Sequence, residues 1–278
     1  MLTTLRKILP DAQKSGYAVG LFNTVNLEML RAVLTAAEAE KSPVIIGTAQ
    51  VLFPYGPLEL LAAPLLDQAR RAKVPVVVHL DHGLSFDTVI RALGLGFSSV
   101  MFDGSTLPYE ENVSQTREIV RIAHLLGASV EAELGHVGEA ADGAESEGGA
   151  YTDPKQAKDF ADRTGVDALA VAVGTAHGQY RVKPRLDIGR LRSIRSLVGT
   201  PLVLHGGSGL SDDDFRSCIR SGVAKVNIFT DLTIAAKQAA DEGRAAGAAY
   251  LDLTDRVTEG ICREVRKKMR LFGCSGRA

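Results

Sequence analysis

Eight short β-branched runs, alternating with stretches of helical periodicity along 278 residues, predict an α/β chain folded as a single (β/α)8 barrel. The length suits one such barrel, which typically takes roughly 250 residues. Alternation of strand and helix implies a parallel sheet. No Gly-x-Gly-x-x-Gly turn follows the first run, which weighs against the open dinucleotide-binding sheet and favours closure.

The strands are expected at 17–22, 44–47, 76–80, 98–102, 130–134, 168–173, 202–204 and 224–228. After the first, Leu27, Leu30, Val33, Leu34 and Ala37 recur at helical spacing, and Val113, Ile119, Val120 and Ile122 do so after the fourth. Helix starts are signalled by Asn26, by Asp153-Pro154, and by Ser211-Asp-Asp-Asp214 with the spacing of a capping box. A C-terminal helix is expected near 252–271, and the whole of 1–278 reads as one domain. The segment 135–153 interrupts this regularity with five glycines, and loops longer than about 12–15 residues usually serve as functional lids or are disordered; a mobile lid is expected here.

With 45% hydrophobic and 23% charged residues the chain can bury a core, and global disorder is not expected. Thirty-two basic against 33 acidic side chains leave a charge of -1, with no overall field for nucleic acid or an anionic membrane. No run is apolar enough to cross a bilayer and no signal peptide opens the chain, so a cytoplasmic protein is expected. Cys218, Cys262 and Cys274 lack zinc-ligand spacing and read as ordinary thiols.

Active sites of (β/α)8 barrels are assembled at the C-terminal ends of the strands. There the sequence places His79-Leu-Asp-His82, Asp103, Glu131-Ala-Glu133, Gly174-Thr-Ala-His177-Gly178 and His205-Gly-Gly-Ser-Gly209. His82, His177 and His205 come from three different strand ends, and three imidazoles with an open fourth position describe a catalytic zinc site. Any one of them alone would read as a core or loop histidine; three with this topology reverse the odds. His79 sits inside its strand, His124 inside a helix and His136 at the start of the long loop, and none joins the ligand set. Gly206, Gly207, Ser208 and Gly209, with residues 227–231 ahead of a helix, can receive a phosphate on backbone amides.

Taken together, His79-Leu-Asp-His82, Glu131-Ala-Glu-Leu-Gly135, Gly174-Thr-Ala-His-Gly178, Leu204-His-Gly-Gly-Ser-Gly209 and Lys225-Val-Asn-Ile228 resemble the class II, zinc-dependent ketose-bisphosphate aldolases, of tagatose- or fructose-bisphosphate type. The resemblance implies that His82, His177 and His205 bind zinc, which polarises the carbonyl of dihydroxyacetone phosphate and stabilises the enediolate. It implies that Asp81 is the acid/base on the aldehyde side, against the alternative that it merely holds His82. Gly178, Gly206, Gly207 and Ser208, with Asn227, Ile228, Phe229 and Thr230, match the positions that bind the ketose phosphate, assisted by a monovalent cation (Na+ or K+). Asp103 and Glu133 match carboxylates offering a second metal position. The implied partners are a phosphorylated ketose or dihydroxyacetone phosphate, an aldehyde, and further copies of the chain in a homodimer or homotetramer.

Two features depart from the family pattern. Ala140-Ala141 stand where relatives often carry carboxylates, leaving Glu139 or Asp142 as candidate bases for the carbon-bound proton, and Phe229 stands where relatives often carry a small or acidic residue. The competing readings are a Schiff-base aldolase, for which only Lys225 is near a strand end, a metallohydrolase, which lacks a His-x-His pair at Phe22-Asn23, and a non-catalytic sugar-phosphate-binding or structural subunit.

Overall fold

The structure, a computed structural model, describes residues 1–138, 151–178, 180 and 184–278. Eight parallel strands form the barrel: β2 (Val19–Asn23), β3 (Val44–Ala49), β4 (Val76–Gly83), β5 (Ser99–Phe102), β6 (Ser129–Leu134), β7 (Ala168–Val171), β8 (Leu202–Leu204) and β9 (Val223–Ile228). Pairing of β9 with β2 and of β4 with β5 closes the sheet, and the two-residue β1 (Leu2–Thr3) adds to the start of β4. Almost every strand residue is buried, as expected where helices cover one face and barrel side chains fill the other.

The helices are α1 (Leu5–Ser15), α2 (Leu27–Glu40), α3 (Leu58–Arg71), α4 (Phe86–Leu95), α5 (Tyr109–Leu125), α6 (Pro154–Thr164), α7 (Ile188–Leu197), α8 (Asp212–Arg220), α9 (Thr230–Ala245) and α10 (Tyr250–Phe272). Their starts follow the expected chemistry. Asn26 Oδ1 accepts from the Met29 amide, Asp153 accepts from the amides of Lys155 and Gln156, and Ser211 and Asp214 exchange the two bonds of a capping box. Apolar spacing places one face of α2 on the barrel, although Leu27 itself is exposed. The C-terminal helix α10 packs against α2 and α9 and begins two residues before the expected 252–271.

Most strand boundaries shift by one to three residues from the sequence expectation, and three of the shifts are instructive. β2 begins at Val19 rather than residue 17 because the amides of Tyr17 and Ala18 bond to Ala12 and Phe272 instead of a strand. β7 ends at Val171 because Ala172 bonds both ways with Thr152, and the Val173 carbonyl accepts from Asp187. β4 runs on to Gly83, with a register shift against β5 between Leu80 and Gly83. Of the expected lid 135–153, residues 139–150, which include Glu139, Ala140, Ala141 and Asp142, lie outside the described residues.

Candidate active site

The irregularity in β4 is what brings Asp81 and His82 to the same place. Side chains alternate along a strand, so two consecutive residues normally face opposite sides. Here His82 adopts φ +42, one of two positive values among the described non-glycine residues, and the register slips at the same point. A bulge of this kind re-aims a side chain, and both Asp81 and His82 consequently line one cavity of about 270 Å³ at the C-terminal end of the barrel.

His177, which lines that cavity, follows β7, and the fully buried His205 follows β8. The ring centroids lie 4.9 Å apart for His82 and His177, 4.6 Å for His82 and His205, and 5.9 Å for His177 and His205. Donor and acceptor chemistry then fixes which nitrogens are free. His82 Nδ1 is 2.7 Å from Asp103 Oδ2, and His205 Nε2 is 2.9 Å from Glu131 Oε1. A carboxylate accepts only, so each of those nitrogens carries a hydrogen, and the other nitrogen of each ring is the one left to meet a metal. His82 Nε2, His205 Nδ1 and His177 Nε2 are buried without a hydrogen bond, and one ligand nitrogen from each ring lies within 4.8 Å of the others. Three converging, unpartnered imidazole nitrogens fit a divalent metal, with the carboxylates behind them in the supporting arrangement such ligands usually have.

The carboxylates differ in their surroundings. Burial alone would raise the Asp81 carboxyl, but His82, Lys225 and His205 hold it well below the usual range. Its Oδ1 accepts from Asn227 Nδ2 at 2.9 Å and its Oδ2 from Asn23 Nδ2 at 2.8 Å. Asp103 is likewise held low, against burial, by His82 and Ser105. Glu133 Oε1 accepts from the Val137 amide, while Oε2 stands 3.3 Å from His205 Nδ1; ligand atoms of His82, Asp103 and Glu133 also gather within 4.8 Å. Burial would lower the His205 imidazole, yet Glu131 and Glu133 push it up to about 10, so without a metal Nδ1 also carries a proton, which a bound metal would displace.

Gly178, Gly206, Gly207, Ser208, Asn227, Ile228, Phe229 and Thr230 all line the same cavity. Gly206 has φ +65, and a Cβ there would lie 2.3 Å from the Ala176 carbonyl oxygen, so the loop can close only with glycine. Helix α9 starts at Thr230 without a side-chain cap, which leaves amide-rich backbone facing the cavity; Ser208 Oγ accepts from the Asp231 amide at 3.3 Å. Phe229 is half-buried against the core at the cavity wall.

Of the remaining histidines, His79 is fully buried with Nδ1 2.7 Å from Ser99 Oγ, His124 pairs with Asp167, and His136 lines the cavity, exposed beside Ser105. Sequence reasoning placed Glu131 at a strand end but gave Asn23, Glu131 and Lys225 no site role. The signal was present in the period of two: Glu131 with Glu133, and Lys225 with Asn227, share the inward faces of β6 and β9. Lys225 Nζ is 2.7 Å from Glu131 Oε2 and 2.7 Å from Asn227 Oδ1, outside the cavity wall, which disfavours a Schiff base.

A closed parallel barrel carrying three histidines and a charged aspartate at its strand ends defines a metal-dependent barrel enzyme. Residues 3–277 match the family described as Fructose-bisphosphate aldolase class-II, and the chain belongs to that family. It is 42% identical over 283 residues to the probable fructose-bisphosphate aldolase of Bacillus subtilis (strain 168), covering 100% of this chain and 99% of that protein. The crystal structure of the YdjI aldolase from Escherichia coli K12 superposes with a TM-score of 0.91 at 39% identity, covering 100% of both chains. A putative fructose-1,6-bisphosphate aldolase from Coccidioides immitis gives a TM-score of 0.89 at 32% identity, with coverage of 98% and 96%. The chain is a metal-dependent aldolase, a lyase that cleaves a ketose bisphosphate, and the metal of this class is typically zinc. The comparisons give no support to a non-catalytic subunit. No helix among the described residues is long and apolar enough to cross a membrane.

Proposed function

We propose that His82, His177 and His205 hold zinc, that Asp81 is the acid/base on the aldehyde side, and that the loops after β8 and β9 seat the phosphate of dihydroxyacetone phosphate. The observation that carries this reading is the convergence of His82 Nε2, His177 Nε2 and His205 Nδ1, all buried and unpartnered, beside the charged Asp81. A metal bound there supplies Lewis acidity towards the ketose carbonyl. Asp81 accepts the hydroxyl proton when the carbon–carbon bond breaks and returns it in condensation, while Asn23 and Asn227 hold its two oxygens in place. Backbone amides at Gly178, Gly206, Gly207 and Ser208, with those of residues 227–230, bind and orient the phosphate, and a monovalent cation shares that seat.

Asp103 and Glu133 provide a second metal position with His82. For the carbon-bound proton the candidate bases are Glu139 and Asp142, which lie outside the described residues. Homo-oligomeric assembly and a cytoplasmic setting complete the reading. Solvent deuterium exchange into dihydroxyacetone phosphate tests it without knowledge of the aldehyde: exchange should vanish on chelation and return with zinc. Absence of exchange from zinc-loaded, folded protein would overturn the catalytic assignment.

A further inference from the structure

We propose that Lys225 is a positioning residue for the aldolase reaction, orienting Asp81 through Asn227 and His205 through Glu131. The proposal rests on the reading of Asp81 as the acid/base and goes beyond it by assigning what fixes that group.

The inside of a (β/α)8 barrel is ordinarily filled by branched apolar side chains, and a buried lysine is costly unless it is fully partnered. Lys225 is completely buried on β9, and its ammonium meets three acceptors: Glu131 Oε1 at 3.0 Å, Glu131 Oε2 at 2.7 Å and Asn227 Oδ1 at 2.7 Å. An ammonium can only donate and a carboxylate can only accept. Asn227 stands between the two, with Lys225 on one side and Asp81 on the other, so only one orientation of its amide is compatible with both neighbours. Its oxygen must face Lys225 and its nitrogen must face Asp81 Oδ1, 2.9 Å away. Turning the amide over would set N–H against ammonium and C=O against carboxylate. Lys225 therefore dictates the donor that holds Asp81.

The other arm runs through Glu131. With both its oxygens held by Lys225, the carboxylate presents Oε1 to His205 Nε2 at 2.9 Å, which requires the hydrogen on Nε2 and leaves Nδ1 for the metal site. One buried cation thus sets the orientation of a proton-transfer group and the tautomer of a metal ligand, from below the cavity and without touching substrate.

Two neutral double variants separate positioning from charge balance. E131Q/K225Q and E131Q/K225M both remove the buried charge pair, and both keep an acceptor for His205 at position 131, but only the first retains a donor for Asn227. Zinc affinity by chelator competition and the unfolding midpoint are read first; both variants are expected to hold zinc within about threefold of one another. The glutamine variant should then turn over about tenfold or more faster than the methionine variant at equal KM, since a misplaced catalytic group costs up to about 10²-fold. On an Asp81→Asn background the difference between the two should disappear, because residues acting as a unit are not additive.

Equal turnover of the two variants would overturn the proposal and leave Lys225 as a counter-charge to Glu131. A difference that persists in full on the Asp81→Asn background would also overturn it, by showing that Lys225 does not act through Asp81. Near-native turnover of Asp81→Asn alone would instead remove the acid/base reading itself. Neutron diffraction from the unsubstituted protein needs no variant to fold: deuterium on the Asn227 nitrogen facing Asp81 is expected, and the reverse orientation would refute the proposal.

Discussion

The two ends of the barrel solve the same problem of burying polar groups in opposite ways. At the N-terminal end the chain amino group donates to the carbonyls of Ala69 and Ala72, β1 extends β4, and Arg6 of α1 donates to the Ala128 carbonyl. Leu5 and Leu9 of α1 are wholly buried there. At the C-terminal end, Asn23 Oδ1, His82 Nε2, Glu133 Oε2, His177 Nε2 and His205 Nδ1 are buried without a hydrogen bond. No such atom among the described residues comes from α1 or β1. An unsatisfied buried polar atom costs about 1–3 kcal/mol, so a cluster of them marks the end that awaits a ligand, and the saturated end carries the stability.

That contrast is broken most sharply by His205→Ala, which removes a nitrogen from the metal site and leaves Glu131 Oε1 without its histidine donor. Turnover should fall by about 10³-fold or more, with loss of bound zinc, as expected where a metal contributes several kcal/mol of charge stabilisation. Metal analysis after dialysis checks it, and native zinc content would move the ligand set elsewhere. The opposite end should respond in the other currency. Leu9→Ala should cost about 2–5 kcal/mol of unfolding free energy in a denaturant titration while leaving KM unchanged. A changed KM would show that the ends are not separable.

Asp103→Asn sharpens the comparison with a smaller effect. Asp103 orients His82 through a 2.7 Å contact to Nδ1, so zinc affinity should drop by about 10–100-fold in chelator competition, with the fold intact. If affinity is unchanged and only binding of a second metal is lost, Asp103 acts as a ligand rather than a support.

The barrel was legible because parallel strands covered on both sides leave uninterrupted apolar runs, and because helix starts at Asn26, Asp153 and Ser211 carry their own capping chemistry. The positions of His82, His177 and His205 were legible from chain order, since strand ends of a closed barrel meet at one mouth. The bulge that turns His82 inward was not, because a register shift depends on how β4 meets β5 rather than on any local residue pattern. The Lys225, Glu131 and Asn227 network was equally hidden: its members are 94 and 2 residues apart along the chain, and only barrel closure sets β6 and β9 around a shared interior. Strand ends at Tyr17 and Val173 shifted for a similar reason, as distant carbonyl and amide groups outcompeted the neighbouring strand.

The smallest expected effect concerns a third way of burying a carboxylate, at the rim of the barrel, where Glu40 ties α2 to α10. It accepts from Arg270 Nη2 at 2.7 Å, Arg266 Nε at 2.8 Å and Ser275 Oγ at 3.0 Å. The hydrogen bond from Arg270 is the main influence, and with Arg266 and Ser275 it outweighs burial and brings the Glu40 carboxyl down from 4.5 to about 2. A carboxyl that is more acidic in the folded chain stabilises the fold above its ordinary range, and that contribution is lost as pH falls from about 4.5 through about 2. Glu40→Gln should therefore lower stability at neutral pH and flatten its decline across that acid window. The Arg270 side chain is 61% exposed and solvent screens the pair, so the loss at pH 7 should be only about 1 kcal/mol. Unfolding free energies of both proteins from pH 7 to pH 2.5 read the effect. Parallel pH curves would show that Glu40 does not contribute to the acid sensitivity, whereas convergence towards low pH would assign the α2–α10 tether a titratable part, separate from the metal site.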